Sequence, residues 1–220
     1  MLYYRTVTRT LLDSLKRLMK ADEFSAFRLV GGTSLSLQLG HRMSVDIDLF
    51  SDISYGKIDF NAIDEFIEKT FPFSSHFGNL TPSFGKSYMI GIHKDDAIKL
   101  DIFYTDPFIQ PVLIVDDIRF ATIEEIIAMK IDVIQRGGRK KDFWDLHELL
   151  NRVSIDIMLE LHKQRYAYGH DKEVILQNFT DFHRADDDFE PICLRGKYWE
   201  FIKEDIEDAI SSYKRGLGGN

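Results

Sequence analysis

Apolar residues recur at helical spacing along residues 6–20, where Val7, Leu11, Leu12, Leu15 and Leu18 predict an amphipathic opening helix. The pattern then shortens: AFRLVGG (26–32) reads as a brief buried strand ending in glycine, and TSLSLQLG (33–40) as a helix capped by Thr33 or Ser34 and ended by Gly40. SVDIDLF (44–50) alternates as a strand does, and FNAIDEFIEKTF (60–71) is a helix closed by Pro72. KSYMIGIH (86–93) and AIKLDIFYT (97–105), joined at KDD, form an antiparallel hairpin. Beyond residue 120 the helical period takes over in TIEEIIAMKIDVIQR, KDFWDLHELLNR, IDIMLELHKQRYAYG and KYWEFIKEDIEDAISSYKRG. Neither a Pro/Ser-rich linker nor an internal repeat interrupts the sequence. The boundary near Thr122 is therefore a change of architecture, from an α/β first part to a helical second part.

Composition narrows the class. With 44% hydrophobic residues, 220 residues can bury one substantial core, or a medium core with a helical appendage. No apolar run approaches a membrane span, and the first twenty residues lack a signal region with a small-residue cleavage site, which predicts a cytoplasmic protein with no membrane partner. Cys193 is the only cysteine, which excludes an intrachain disulfide and argues against a thiolate zinc cluster. The formal charge of -8 argues against a general phosphate-binding surface, although QRGGRKK at 135–141 is a dense basic cluster. FGKS at 84–87 ends like a phosphate-binding loop, but Leu80 stands where the leading glycine is required. GxGxxG after a strand, GxSxG and HExxH are all missing from the sequence.

What survives is a set of carboxylates. On a strand Asp46 and Asp48 share one face while Ile47 and Leu49 pack on the other. Two such acids repel each other unless a cation or proton sits between them, and Mg²⁺ favours a few carboxylates together with substrate phosphate. A lone DxD is also what an edge strand with a wet face would show. Asp101 is a second acid in an apolar strand and shares a face with Lys99; if its strand lies beside the first, three carboxylates converge, as two-metal phosphoryl transfer requires. Gly31 and Gly32 let the backbone approach a ligand, and the following helix presents amides and a positive dipole end to an anion.

The order of GG-T/S, helix, DxD strand and third acidic strand resembles the DNA polymerase beta-like nucleotidyltransferase superfamily. More narrowly, GGTSLSLQLGHRMSVDIDLF with KLDIF, EEIIAMK and RKKDFWDL resembles the AbiEii/AbiGii-type nucleotidyltransferase toxin family, to which the MenT toxins are related. The matching segments lie within residues 29–146. The resemblance implies an α+β fold: a nucleotidyltransferase-type mixed sheet with flanking helices over residues 1–120, followed by a C-terminal helical domain over 121–220 that closes the nucleotide cleft. It makes Gly31, Gly32 and Thr33 the nucleotide-binding turn and Asp46, Asp48 and Asp101 the metal-binding, catalytic acids. Lys99 belongs to the second motif, beside the nucleotide. Glu125 and Lys130 fit the third, with the lysine reaching the phosphates. Arg139, Asp142 and Asp145 fit the fourth, with Asp142 acting close to the nucleotide, and Arg42 joins the nucleotide-binding set.

From the residues alone, Asp142 also reads as a helix N-terminal acid, Asp145 as a surface acid and Lys130 as a surface lysine. Lys140, on a different helical face, would matter for an RNA acceptor. The activity implied is Mg²⁺-dependent (or Mn²⁺-dependent) transfer of NMP from an NTP to an acceptor hydroxyl. The actor would be the toxin of a bacterial toxin-antitoxin or phage-defence system. Transfer RNA or another RNA is the acceptor in some members, and a cognate antitoxin protein is the partner. Two other readings remain open: a nucleotide-binding regulatory or toxin module without turnover, and a small-molecule nucleotidyltransferase of the aminoglycoside-modifying kind.

Overall fold

The computed structural model describes residues 1–77 and 84–217, so Leu80 lies outside the described residues. The chain divides into two compact units, one made of Met1–Gly40 with Ser44–Thr122, the other of His41–Met43 with the chain from Ile123 onward. Among the described residues no helix is long and apolar enough to cross a membrane.

In the first unit, the described residues form seven strands in one sheet: β1 (Arg28–Leu29), β2 (Ile47–Ser51), β3 (Phe73–Phe77), β4 (Gly85–Gly91), β5 (Ile98–Tyr104), β6 (Leu113–Val115) and β7 (Ile118–Phe120). Their order is β3-β4-β5-β2-β1-β7-β6. β2 runs parallel to β5 and β1 parallel to β7, and the other neighbours are antiparallel, so the sheet is mixed. Period-two alternation sorts the side chains. Leu29, Ile47, Leu49, Ile90, Leu100 and Ile102 enter a core with Leu11, Leu15 and Leu18 of α1 (Arg9–Lys20) and Ile63 and Ile67 of α3 (Phe60–Thr70). On the opposite face Asp48, Phe50, Asp101 and Phe103 remain half-buried. Between β1 and β2 runs α2 (Gly31–Leu39), which Gly40 ends in the left-handed conformation at φ 73°.

The second unit is helical, built from α4 (Ile123–Gln135), α5 (Lys140–Leu150), α6 (Ile155–Arg165), α7 (Lys172–Asn178), α8 (His183–Asp186) and α9 (Trp199–Leu217). Apolar stripes of these helices meet around Phe143, Phe182, Trp144 and Trp199, the two indoles being stacked at 6.2 Å between centroids. Glu125 of α4 and Arg165 of α6 form an ion pair with both side chains fully buried. Residues 41–43 belong to this unit by backbone pairing: Met43 N–H donates to the Ile192 carbonyl (2.8 Å) and Leu194 N–H to the His41 carbonyl (2.9 Å).

The structure departs from the sequence reading in specific places. The strand expected over 44–50 begins at Ile47, because the Thr33 hydroxyl holds the Asp46 carbonyl outside the ladder. α2 starts at Gly31 with Val30 as its N-cap, and neither Thr33 nor Ser34 caps it. β3, α7 and α8 are too short or too polar to show a period, and the β6–β7 hairpin hides behind an Asp-Asp turn. In that turn Asp116 and Asp117 take φ of 50° and 62°, the two left-handed positions a two-residue hairpin requires. Tyr4 fixes the turn by donating its hydroxyl to Asp116.

A left-handed position tolerates glycine and penalises a β-branched residue by about 1–2 kcal/mol. Asp117→Val should therefore be less stable than Asp117→Gly by that amount and unfold at a lower urea midpoint. Equal midpoints would contradict the left-handed turn.

Candidate active site

The site begins with the register of two parallel strands. Asp48 of β2 stands directly opposite Asp101 of β5, and Ser87 of β4 stands opposite Asp101 on the other side. Ser87 Oγ donates to Asp101 Oδ1 at 2.6 Å, and Lys99 Nζ donates to Asp101 Oδ2 at 2.5 Å. Burial works to lower the Lys99 ammonium, but its bond to Asp101 and the charges of Asp101, Asp46 and Asp48 hold it above its ordinary pKa. One lysine thus sits in the field of all three acids, and that field needs a cation.

Gly31 ties the helix to this row. Its φ is 66°, and a Cβ built there would lie 2.6 Å from Asp48 Oδ2. A side chain at position 31 would therefore collide with the carboxylate as well as strain the backbone. The first-turn amides of α2, including those of Gly32 and Thr33, have no intrahelical acceptors and form the positive end of the helix dipole. Thr33 itself is buried, its hydroxyl bonded to Ser44 Oγ at 2.8 Å and to the Asp46 carbonyl. It positions Asp46 through the backbone. Val30 N–H does the same for Asp48, donating to its carbonyl at 2.9 Å.

Among the described residues no three His, Cys, Asp or Glu side chains are grouped closely enough to hold a metal ion by themselves. The donor set instead suits an ion that takes one or two carboxylates and completes its shell with phosphate oxygens and water, as Mg²⁺ does. Asp46, Asp48 and Asp101 are the carboxylates that could contribute to such a shell, and Asp101 is oriented by Ser87 and Lys99.

The remaining expected residues gather in the helical unit around one acid. Asp145 is 0% exposed and receives the Arg42 guanidinium through both oxygens, at 2.6 and 2.8 Å. It also receives His41 Nε2 at 2.7 Å and Lys130 Nζ at 2.7 Å. Lys130 Nζ donates to Asp142 Oδ1 at 2.6 Å as well, and Asp142 Oδ2 accepts the Arg139 N–H at the start of α5. His41 Nδ1 is buried without a hydrogen-bond partner among the described residues, and the permanently charged members of the cluster are Arg42, Lys130, Asp142 and Asp145. Two cations and two carboxylates then cancel.

Burial pushes the Asp145 carboxyl up, but Arg42, Lys130 and His41 together hold it well below the ordinary range. Burial likewise lowers Lys130, and Asp142 and Asp145 outweigh it, leaving its pKa raised.

Lys130 and Asp145 are thus neither a surface lysine nor a surface acid, and Asp142 combines a helix-start bond with an ion pair. The basic cluster at 135–141 is not a free patch either. Arg139 pairs with Asp188 at 2.9 Å, Arg136 pairs with Asp132, and Lys140 is buried with its ammonium 3.2 Å from the Asp186 carbonyl. Lys140 is accordingly no solvent-facing contact for RNA. Ser87 and His41 were missed in the sequence. Counting back along the 86–105 hairpin places Ser87 opposite Asp101, but no signal marks His41 beyond its place beside Arg42.

Removing Asp145 takes the carboxylate from the buried Arg42 and leaves Lys130 with Asp142 alone, so Asp145→Asn should cost about 3–5 kcal/mol. The depressed Asp145 pKa contributes stability that is complete above its ordinary value of 3.8 and lost as pH falls below it. The raised Lys130 pKa contributes stability present below 10.5 and lost as pH climbs past it. Urea midpoints across pH should fall on both limbs for the native chain, and Asp145→Asn should flatten the acid limb. An unchanged acid limb would contradict the network's electrostatic role.

Solved structures share the fold of this chain. JHP933 from Helicobacter pylori superposes with a TM-score of 0.59 at 19% identity, covering 94% of this chain and 90% of its own. The nucleotidyltransferase toxin MenT4 from Mycobacterium tuberculosis gives a TM-score of 0.60 at 15% identity, covering 91% of this chain and 82% of its own. At these identities the likeness establishes the fold: a nucleotidyltransferase-type mixed sheet with flanking helices. The Aquifex aeolicus protein aq_aa25 is 27% identical over 216 residues, 91% of this chain and 94% of that one. Residues 13–214 match the family described as "Nucleotidyl transferase AbiEii toxin, Type IV TA system". A chain matched over that span, with its acids aligned across two parallel strands beside a glycine-led helix, belongs to the AbiEii nucleotidyltransferase toxin family.

Proposed function

We propose that this nucleotidyltransferase moves NMP from an NTP to the hydroxyl of an acceptor, using a divalent metal, and that it works as the toxin of a pair with a cognate antitoxin protein. The observation that carries the reading is the row formed by Gly31, Asp48 and Asp101 on one sheet face. Phosphate oxygens fit the amide end of α2, which the missing Cβ of Gly31 brings up against the Asp48 carboxylate. Asp46 and Asp48 would hold Mg²⁺ or Mn²⁺, which when bound supplies charge neutralisation at the phosphoryl group and lowers the pKa of a coordinated hydroxyl. Asp101 would face the acceptor side, oriented by its hydrogen bonds from Ser87 and Lys99. Pyrophosphate leaves as the acceptor oxygen bonds to the α-phosphorus, a reaction that calls mainly for positioning and electrostatic stabilisation.

Arg42, Lys130, Asp142 and Asp145 act in this proposal as a neutral buried scaffold, since each charged group already has a partner of opposite sign. For the acceptor we propose the hydroxyl of an RNA end, contacted locally. The paired state of the 135–141 cluster and the charge of -8 both favour a short contact over a long phosphate track.

Asp46→Ala and Asp48→Ala should each abolish transfer of label from α-labelled NTP to total RNA in Mg²⁺ while leaving the circular dichroism unchanged. Near-native transfer by either would overturn the metal-pair assignment. Asp101→Asn should retain NTP affinity within a few-fold yet lose roughly 10²–10³ in kcat. Equal losses in binding and turnover would make Asp101 structural.

A further inference from the structure

A second row runs beside the carboxylates on the same sheet face. One pair of residues further along the strands, about 7 Å away, Arg28 of β1, Phe50 of β2, Phe103 of β5 and Gly85 of β4 stand in register. Strands with one solvated face ordinarily carry polar residues at such positions, yet here two phenylalanines occupy them and stay half-buried. Their rings meet edge-on, with centroids 6.0 Å apart and planes at 62°. The Phe103 ring lies across β4: a Cβ at Gly85 would sit 2.4 Å from Phe103 Cδ1 and 2.5 Å from Cγ. Glycine in a strand marks such a close approach, and here it lets the half-buried Phe103 ring rest against the β4 backbone. At the end of the row the Arg28 guanidinium stacks on Phe108 at 4.1 Å and donates to the Gln110 carbonyl at 2.7 Å.

We propose that this row is a nucleobase platform: the half-exposed ring of Phe103, flanked by Phe50 and Arg28, stacks the base of a nucleotide whose phosphate lies at Gly31 and Asp48. The inference rests on the nucleotidyl-transfer reading of the first row. Its chemistry is independent of base identity, because every base offers a π-face to an aromatic ring and to a guanidinium. The spacing matches, since about 7 Å of strand separates the backbone positions of the acids from those of the phenylalanines, the scale on which a nucleotide sets its base apart from its 5′ phosphate. The base can come from the NTP or from the terminal nucleotide of the acceptor.

The test uses the full chain, Mg²⁺ and three probes: 2-aminopurine riboside triphosphate, a short single-stranded RNA ending in 2-aminopurine, and inorganic tripolyphosphate. Wild type should quench at least one fluorescent probe. Phe103→Leu and Phe50→Leu should lose that quenching and weaken the same probe about 5–10-fold, a reduction typical of a lost stacked base. Tripolyphosphate should bind all variants within two-fold, and Phe103→Tyr, which keeps a ring, should restore the quenching. A loss confined to the triphosphate assigns the base to the NTP, and a loss confined to the RNA assigns it to the acceptor. Unchanged fluorescence and affinity in both leucine variants would overturn the platform and leave the phenylalanines as packing beneath the 105–110 segment. So would tripolyphosphate binding by wild type without quenching of either probe. Failure of wild type to bind tripolyphosphate or the triphosphate probe would overturn the platform together with the transfer reading beneath it.

Discussion

The space above Gly31 is the constraint on which the first unit is organised. Asp48 Oδ2 occupies the position a side chain at residue 31 would take, so the amino end of α2 and the carboxylate on β2 are brought together only because residue 31 has no Cβ. From that contact the sheet extends the site by register alone. Asp48 faces Asp101, Asp101 faces Ser87, and the next pair places Phe50 beside Phe103. A one-residue slip would send all of these side chains to the core face and bring Leu49 and Ile102 outward. The core holding Ile47, Leu49, Leu100 and Ile102 at 0% exposure therefore fixes the chemistry on the other face.

The helical unit follows a different rule. It buries two cations, two carboxylates and an imidazole in the cluster around Asp145, where single charges would be prohibitive and a balanced set is tolerable. Such an arrangement contributes less to net stability than to the definition of a unique arrangement: it holds α4, α5 and the 41–43 segment in one geometry, and the loss of any member leaves its partner uncompensated. The buried pair of Glu125 and Arg165 repeats the principle between α4 and α6.

Much of this was legible in the sequence where a period or a sharp chemical contrast marked it. Alternation in DIDLF and KLDIF separated the acidic face from the core face, and the adjacent parallel pairing of β2 with β5 brings those acids together. The long helices from residue 123 onward follow their apolar period. Short elements escaped because a strand of three residues such as β6 has no period to read, and because an Asp-Asp turn lacks the glycine that usually signals a hairpin. Burial of ions escaped for another reason. Lys130, Arg42 and Asp145 lie 88 to 103 residues apart or only fifteen apart on separate helices, and nothing local distinguishes an ion that will be neutralised by a distant partner from one that stays in water. The Thr33 hydroxyl shows the same limit on a smaller scale: a residue that reads as a helix cap serves the Asp46 carbonyl.

The central claim is that the acidic row on β2 and β5 supports attack at the α-phosphorus of an NTP. Parallel reactions of the full chain with α-labelled and γ-labelled NTP, Mg²⁺ and total RNA test it most directly. The account predicts that α-label enters RNA, that γ-label appears in pyrophosphate in equal molar amount, and that no γ-label enters RNA. Incorporation of γ-label, or release of inorganic phosphate with no label in any acceptor, would contradict it.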